Sequence, residues 1–350
     1  MAEVLITGGA GFIGSHTCLV LLQAGHRLVV LDSFATSNPA SLRRVVELAG
    51  GDASERLTVI QGDLRQPSSL DRAFLAMAGS CDAVIHFAGL KAVAQSVEHP
   101  LLYWDVNVGG TTQLLGAMAR NGCHTLVFSS SATVYGFPEI IPIRETAPVL
   151  PINPYGHTKA TVERMLADLA TSEPHWRIAR LRYFNPVGAH PSGQIGENPL
   201  GPPDNLFPYV SQVAVGRLPR LQIYGDDWPT ADGTGIRDYI HVMDLAEGHL
   251  AALEMLWKEE PQLLTLNLGS GIGHSVLEVV RAFEAASGRM VPYDVVPRRA
   301  GDAARSVADP CEAERRLGWR TRRDLEAMCR DGWAWQSTHP HGFSPQDSNP

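Results

Sequence analysis

The sequence predicts a doubly wound α/β protein, a parallel sheet with helices on both faces, joined to a smaller, mixed α/β C-terminal lobe. Three observations carry this. Residues 3–7 are a short apolar run that passes directly into glycines at Gly8, Gly11 and Gly14. Strand-length apolar runs then alternate with helix-length amphipathic stretches to about residue 186, the pattern of βαβ units with right-handed crossovers. Beyond that point Gly, Pro and Asn dominate and regular patterns resume only in short pieces.

The opening turn is the most specific part. A backbone that turns tightly at Gly8, lies close against a pyrophosphate at Gly11 and lets a helix pack on its strand at Gly14 leaves no room for a side chain at any of the three. Residues 12–24, beginning with Phe12 and Ile13, are helical in pattern, so their first amides and the positive end of the dipole meet the phosphates. The next strand, 28–31, ends at Asp32. A carboxylate there accepts hydrogen bonds from a ribose diol and repels a 2′-phosphate; a solvated turn acid is the secondary reading. Strand, glycines, helix, strand and acid in this order predict a Rossmann-type dinucleotide site and favour NAD over NADP.

Residues 33–56 are a polar insertion with one short helix near Ala40–Ala49, followed by a strand at Leu57–Gln61. That strand closes on Gly62-Asp63 at the sheet end that faces a cofactor, so Asp63 is either an adenine contact or, equally, a turn or N-cap acid ahead of Pro67. The strand at 83–87 runs into Ala88-Gly-Leu-Lys91, where small residues admit a ligand and Lys91 is either a mobile positive charge at the site or a solvated lysine. Residues 100–121 are the longest helical pattern, and with Leu101, Leu102, Trp104, Val108, Leu114, Leu115 and Met118 they carry more apolar surface than one face needs. A second such helix is expected at 155–170, after a strand at 125–128 that leads into Ser129-Ser-Ser131. A strand at 178–182 leads into Tyr183-Phe-Asn185.

Residues 193–208 have little periodicity and are expected to be a substrate-facing loop. A helix at 207–215, a strand at Leu221–Tyr224, a turn at 232–235, a return strand at Leu263–Leu268 and a helix at Val276–Ser287 follow. The expected organisation is a cofactor domain at 1–186 with return elements at about 237–286, a substrate domain from 187–236 and 287–338, and a flexible tail at 339–350.

The formal net charge is −8 and Lys and Arg are scattered, so nucleic acid is not an expected partner. The chain opens directly on a strand and holds no run of about 20 uncharged apolar residues, so no membrane role and a cytoplasmic location are expected. The 5 cysteines are widely separated, as reduced thiols are, and the 13 histidines show no ligand spacing, so no metal is expected.

A phenol with an ordinary pKa of about 10 is a poor base unless a cation favours the phenolate. In Asn153-Pro-Tyr155-Gly-His-Thr-Lys159 the proline opens a helix and sets Tyr155 and Lys159 one turn apart on one face. Alone, this spacing is an ordinary helix pair. After a dinucleotide fingerprint and a serine-rich strand end it reads as a catalytic pair, with Ser131 relaying a proton between substrate and Tyr155.

In Phe87-Ala-Gly-Leu-Lys91, Phe128-Ser-Ser-Ser-Ala-Thr-Val-Tyr-Gly136, Tyr183-Phe-Asn185, Gly233-Thr-Gly-Ile-Arg-Asp-Tyr-Ile-His241 and Arg298-Arg-Ala-Gly-Asp302, the sequence resembles the extended short-chain dehydrogenase/reductase family. Within that family it is similar, over nearly its whole length, to the branch that epimerises UDP-hexoses at carbon 4. The resemblance implies tightly held NAD, oxidation at carbon 4, rotation of the keto sugar and return of the hydride to its opposite face. It implies that Tyr155 is the base, that Lys159 holds the nicotinamide ribose and lowers the phenol pKa, and that Ser131 assists. Phe87, Lys91, Asn107 and Tyr183 would join the cofactor site. Lys91, Thr133, Asn185, Asn205 and Leu206 would line the nucleotide sugar, Tyr224 would stack on uracil, Arg237 and Arg299 would bind the diphosphate, and Asp302 would take the uridine ribose.

By the same resemblance Ser306 walls the pocket beside carbon 2, where enzymes restricted to unsubstituted sugars carry Tyr, so N-acetylated UDP-sugars are expected substrates too. A homodimer through a four-helix bundle is expected from the helices at 100–121 and 155–170. The chain departs from the family at Asp204, where Asn is usual and a side chain pointing away from the diphosphate is expected, at the variable His157 and Thr158, and in the loose turn Leu268-Gly-Ser-Gly-Ile-Gly273. The alternatives are a nucleotide-sugar dehydratase, which needs an Asp-Glu pair where this chain has Ala132-Thr133, a dissociable dehydrogenase, and a non-catalytic NAD-sensing module, which would lack the Tyr and Lys.

Overall fold

Strands buried on both faces need cover on both sides, and β1 (Glu3–Thr7), all five of whose residues are buried, lies in the interior of a wide sheet. The computed structural model describes residues 1–343 apart from 200, 202, 204 and 300, so Asp204 lies outside the described residues. From β1 the chain continues through α1 (Phe12–Gln23), β2 (Arg27–Asp32), α2 (Ala40–Ala49), α3 (Ala53–Arg56), β3 (Leu57–Gln61), α4 (Pro67–Leu75) and β4 (Ala83–His86). Next come α5 (Val93–Glu98), α6 (Pro100–Tyr103), a π-helical turn (Trp104–Gly109), α7 (Gly110–Arg120), β5 (Thr125–Ser131), a 3₁₀ turn (Ala132–Tyr135), α8 (Pro154–Ser172), β6 (Arg177–Tyr183) and β7 (Asn185–Val187). The remainder is α9 (Leu206–Ala214), β8 (Leu221–Tyr224), β9 (Ile236–His241), α10 (Val242–Lys258), β10 (Leu263–Leu268), β11 (Gly273–Ser275), α11 (Val276–Ser287), β12 (Tyr293–Val296), β13 (Arg305–Ser306), α12 (Cys311–Leu317) and α13 (Leu325–Thr338).

Seven of these strands form one parallel sheet in the order β10-β6-β5-β4-β1-β2-β3. Successive residues alternate between its two cores. Leu5, Val29, Val84 and Leu126 pack with Leu70, Leu114, Met118 and Val162, whereas Ile6, Val30, Ile85 and Val127 pack with Leu19, Leu22, Leu245 and Leu253. The chain order reverses between β1 and β4, which opens a crevice at their C-terminal ends, the usual ligand position in such sheets.

The second lobe packs α9, α11 and α13 around Phe207, Val279, Val280 and Phe283. It also holds the pair β8–β12 and a four-stranded sheet of β7, β9, β11 and β13.

Several features differ from the sequence reading or were absent from it. The 100–121 segment is α6, a π turn and α7, so the longest uninterrupted helix is α8, with 19 residues. The π turn buries Asn107, whose carboxamide accepts from Leu90 N at 2.8 Å and donates to Leu90 O at 3.0 Å and Thr158 Oγ1 at 3.1 Å. Helix α10 has no counterpart in the sequence reading, because it is buried on several faces and shows no single apolar stripe. The end is not frayed at 339–343: His339 stacks on Trp335 at 4.2 Å and Phe343 packs on the same indole at 4.9 Å. Among the described residues no helix is long and apolar enough to cross a membrane. All five cysteines are free thiols, and only Cys311 is exposed.

Candidate active site

At the switch point the glycines meet their neighbours at distances no side chain tolerates. Gly8 has φ +73°, and a Cβ there would lie 2.6 Å from Ala88 N; one on Gly14 would lie 2.3 Å from Gly8 O. Gly11 is different: an added Cβ would meet only Gly8 O, at 3.3 Å, so the space in front of it is open. It caps α1, whose first turn, with half-buried Phe12 and Ile13, holds no acid to neutralise the amides. Asp32 is fixed by Ala10 N at 2.9 Å, Phe34 N at 2.9 Å and Ser37 Oγ at 2.8 Å. Phe34 presents its N–H from a left-handed conformation (φ 58°) that costs a bulky residue energy. An open helix N-terminus and an anchored acid one strand away are the donor and acceptor set that a dinucleotide requires.

Asp63 fits its turn reading better than its adenine reading. Its carboxylate accepts from Arg65 N at 2.9 Å and pairs with Arg65 Nη2 at 2.6 Å. The Arg65 hydrogen bond holds it below the usual carboxylate range.

The ends of β5 and α8 bring the proposed chemical groups together. Asn153 caps α8 through Gly156 N at 2.8 Å, so the helix begins at Pro154 and fixes the direction of Tyr155. Ser131 ends β5, with Thr133 Oγ1 at 2.7 Å from its Oγ. Burial raises the pKa of the Tyr155 phenol, and the Ser131 hydroxyl and the Lys91 charge oppose that rise. One turn on, Lys159 is buried, donates to Ser129 O at 2.7 Å and lies 6.0 Å from the centre of the Tyr155 ring. Burial lowers its ammonium to about 8, with the Glu163 charge opposing.

Behind this pair Glu163 binds Arg182 at 2.6 Å and Ser130 Oγ at 2.5 Å, and Arg182 reaches Tyr135 Oη at 2.9 Å. Satisfied on all sides, this buried network ties α8 to β5 and β6. Tyr183 is hydrogen-bonded to His249, which also packs against Phe87 at 4.8 Å.

In the second lobe Asn185 donates to Asp238 O at 2.9 Å, joining β7 to β9. Asn205 is the N-cap residue of α9 but its side chain makes no capping bond, and Leu206 is the first residue of that helix. Arg237 donates to Ala303 O at 2.8 Å and lies 3.8 Å from Asp302, which also faces Arg299 at 3.4 Å. The Arg299 guanidinium sits 5.1 Å over the half-exposed Tyr224 ring, and Ser306 pairs with Arg237 between β13 and β9. Two clusters therefore form, Ser131, Thr133, Tyr155, Lys159 and Lys91 in one and Tyr224, Arg237, Arg299, Asp302 and Ser306 in the other. Lys91 reaches from the first lobe to Glu197 at 2.8 Å.

Sequence reasoning missed Glu163, Arg182, Phe34, His249 and Glu197. An arginine within an apolar parallel strand and a glutamate one turn beyond Lys159 were signals for the first two. Glu197, in an irregular loop, gave none.

The family model described as GDP-mannose 4,6 dehydratase matches residues 5–332. UDP-glucose 4-epimerase 2 of Arabidopsis thaliana is 54% identical, over 98% of this chain and 97% of its own. The UDP-glucose 4-epimerase of Bacillus subtilis is 53% identical, over 97% and 98%. The crystal structure of the UDP-glucose-4-epimerase of Stenotrophomonas maltophila, with NAD and formylated UDP-arabinopyranose bound, matches with a TM-score of 0.93 at 50% identity, covering 97% of this chain and 99% of that one. Identity at this level, over nearly the whole chain, places the chain in the UDP-glucose 4-epimerase family.

Proposed function

We propose that this protein interconverts UDP-glucose and UDP-galactose by reversible epimerisation at carbon 4, with NAD held throughout the cycle. The observation that carries the reading is the convergence of Ser131 at the end of β5 with Tyr155 and Lys159 one turn apart on α8, the Lys159 ammonium buried 6.0 Å from the centre of the Tyr155 ring. When bound, NAD takes a hydride from carbon 4 and gives it back to the opposite face of the resulting keto sugar. The residues that would hold it are the Gly8–Gly14 turn with Phe12 and Ile13, Asp32, Phe87, Lys91, Asn107, Lys159 and Tyr183. Tyr155 takes the proton from the 4-hydroxyl and returns it after the sugar has turned, Ser131 orients that hydroxyl, and Lys159 favours the phenolate. Thr133, Asn185, Asn205 and Leu206 line the sugar, while Tyr224, Arg237, Arg299 and Asp302 hold the uridine diphosphate. Arg299 must then leave the face of Tyr224 for the diphosphate, which frees the ring for uracil. Purified protein given UDP-galactose alone is expected to form UDP-glucose. A strict need for added NAD, with accumulation of NADH, would instead support a dissociable dehydrogenase.

Substrate breadth is part of the proposal. Ser306 is small, so an N-acetyl group at carbon 2 would meet less obstruction there than from a Tyr as the keto sugar turns. Wild type is expected to interconvert UDP-GlcNAc and UDP-GalNAc, and Ser306→Tyr to lose that activity selectively. Equal loss of both activities, or a wild type inert toward UDP-GalNAc, places the gate elsewhere.

We also propose a homodimer. On α5 and α6, Val97 (62% exposed), Leu101 (82%) and Leu102 (40%) are exposed, apolar surface that a second copy would cover. Light scattering at micromolar concentration should give twice the chain mass; a monomer mass refutes this. A cytoplasmic location belongs to the same proposal, and cell fractionation tests it.

A further inference from the structure

Two neighbouring arginines in the segment after β12 are held in different ways. Arg299 rests over Tyr224, the ring it must leave when the diphosphate binds. Arg298 is clamped. Its guanidinium stacks on the Trp228 indole, 4.1 Å from the ring centre, while its Nε donates to Asp227 Oδ1 at 2.6 Å and its Nη2 to Asp227 O. The indole is fixed in turn, because Trp228 Nε1 donates to Tyr224 O at 3.1 Å and Trp228 N to Gly233 O at 2.9 Å. Gly225 makes the room: it has φ +84°, and a Cβ there would lie 2.6 Å from Arg298 Cγ and 2.9 Å from Trp228 Nε1. One indole therefore joins the backbone of Tyr224, proposed to stack on uracil, to the side chain beside Arg299, proposed to bind the diphosphate.

The far end of this segment is tied to β9, where Arg237 Nη1 donates to Ala303 O and Ile236 N donates to Ala304 O, each at 2.8 Å. At its near end the last backbone tether is Gly225 N to Val296 O at 2.8 Å, and among the described residues the Arg298 side chain makes the next hydrogen-bonded attachment. The Arg298 and Asp227 side chains are 39% and 70% exposed. An ion pair this exposed adds little to stability, so the value of the clamp lies in where it holds the chain. We propose that Trp228 and Asp227 are positioning residues for the UDP-sugar, clamping Arg298 so that the near end of the segment stays docked while Arg299 turns from Tyr224 to the diphosphate. A segment already held at both ends loses less conformational freedom when the ligand binds. Neither residue belongs to the cluster of Ser131, Tyr155 and Lys159, so the clamp serves binding and leaves the chemical step alone. The inference rests on the roles proposed for Arg299 and Tyr224.

The test uses the full-length holoenzyme, with calorimetric titration of UDP beside steady-state kinetics on UDP-galactose. Loss of a cation weakens diphosphate binding through charge alone, so the deciding variants leave Arg298 in place. Trp228→Leu changes no charge, and Asp227→Asn removes a negative charge, which by itself would tighten the binding of an anion. Both are expected to raise the Kd of UDP and the KM of UDP-galactose by about fivefold, with kcat reduced by no more than about twofold. In an Arg298→Leu background neither should weaken UDP further. Unchanged or tighter UDP binding in either variant, a loss confined to kcat, or losses that persist undiminished without Arg298 overturn the proposal. Failure of the roles it rests on reads out separately, as UDP affinity retained by Arg299→Leu.

Discussion

Tyr155→Phe is expected to lower turnover by about 10²–10⁴-fold, the range that a positioned acid–base group supplies. UDP-sugar binding should stay within about twofold, because the ring and its packing remain and only the proton-carrying oxygen is removed. The site is built around that oxygen. Burial works against its ionisation, the Ser131 hydroxyl and the Lys91 charge favour it, and the Lys159 ammonium lies 6.0 Å from the ring centre. If the variant retained more than about a tenth of wild-type turnover, a barrier change below about 1.4 kcal/mol, Tyr155 would not be the base. Steady-state kinetics with UDP-galactose, paired with calorimetric titration of UDP, separates the two quantities.

Lys159→Met is expected to abolish activity to a similar degree and, in the cofactor-free protein, to raise stability. The ammonium has an ordinary pKa of 10.5 that burial lowers to about 8 in the folded state. Between those values the unfolded chain binds more protons than the folded one, so stability rises as pH climbs from about 8 to 10.5. Below that window the buried charge costs about 3 kcal/mol. Its hydrogen bond to Ser129 O offsets about 1 kcal/mol. The neutral side chain should therefore gain about 2 kcal/mol at pH 7 and lose the rise in stability toward pH 10. Urea unfolding of wild type and variant at both pH values checks this; a variant less stable than wild type at pH 7 would mean that the ammonium is stabilising where it stands. A site that holds a buried cation at this cost trades stability for function.

The legible parts of this sequence are those where a local rule admits few residue types. The backbone contacts at Gly8 and Gly14 leave no space for Cβ, so a dinucleotide turn can be read where those glycines stand between a strand and a helix and a second strand ends in an acid. Tyr155 and Lys159 lie on one helix, so their meeting follows from spacing. The strands Leu57–Gln61, Leu221–Tyr224 and Leu263–Leu268 were found with matching bounds because each is an apolar run stopped by turn-forming residues. What stayed hidden depends on tertiary packing. The π turn that buries Asn107 and the many-sided burial of α10 leave no distinct period. The partners Lys91 and Glu197 are 106 residues apart, and only the fold makes them neighbours. Asp63 allowed two readings because a strand-end acid has the same local signature whether it meets a ligand or the arginine two residues on.

The order of strands also bears on how the chain is made. β6 is followed by the substrate lobe, and the strand that pairs with its outer edge, β10, is reached only after β9 and α10 have been added. While the ribosome is still making that intervening length, Tyr155 and Lys159 have already emerged, yet β6 presents a row of unpaired backbone donors and acceptors. Such an edge is a template for association with other nascent chains. The interweaving that gives the cleft its two walls therefore means that the cofactor half cannot close its own sheet. The risky interval of synthesis ends only when Leu263–Leu268 arrives to pair with β6.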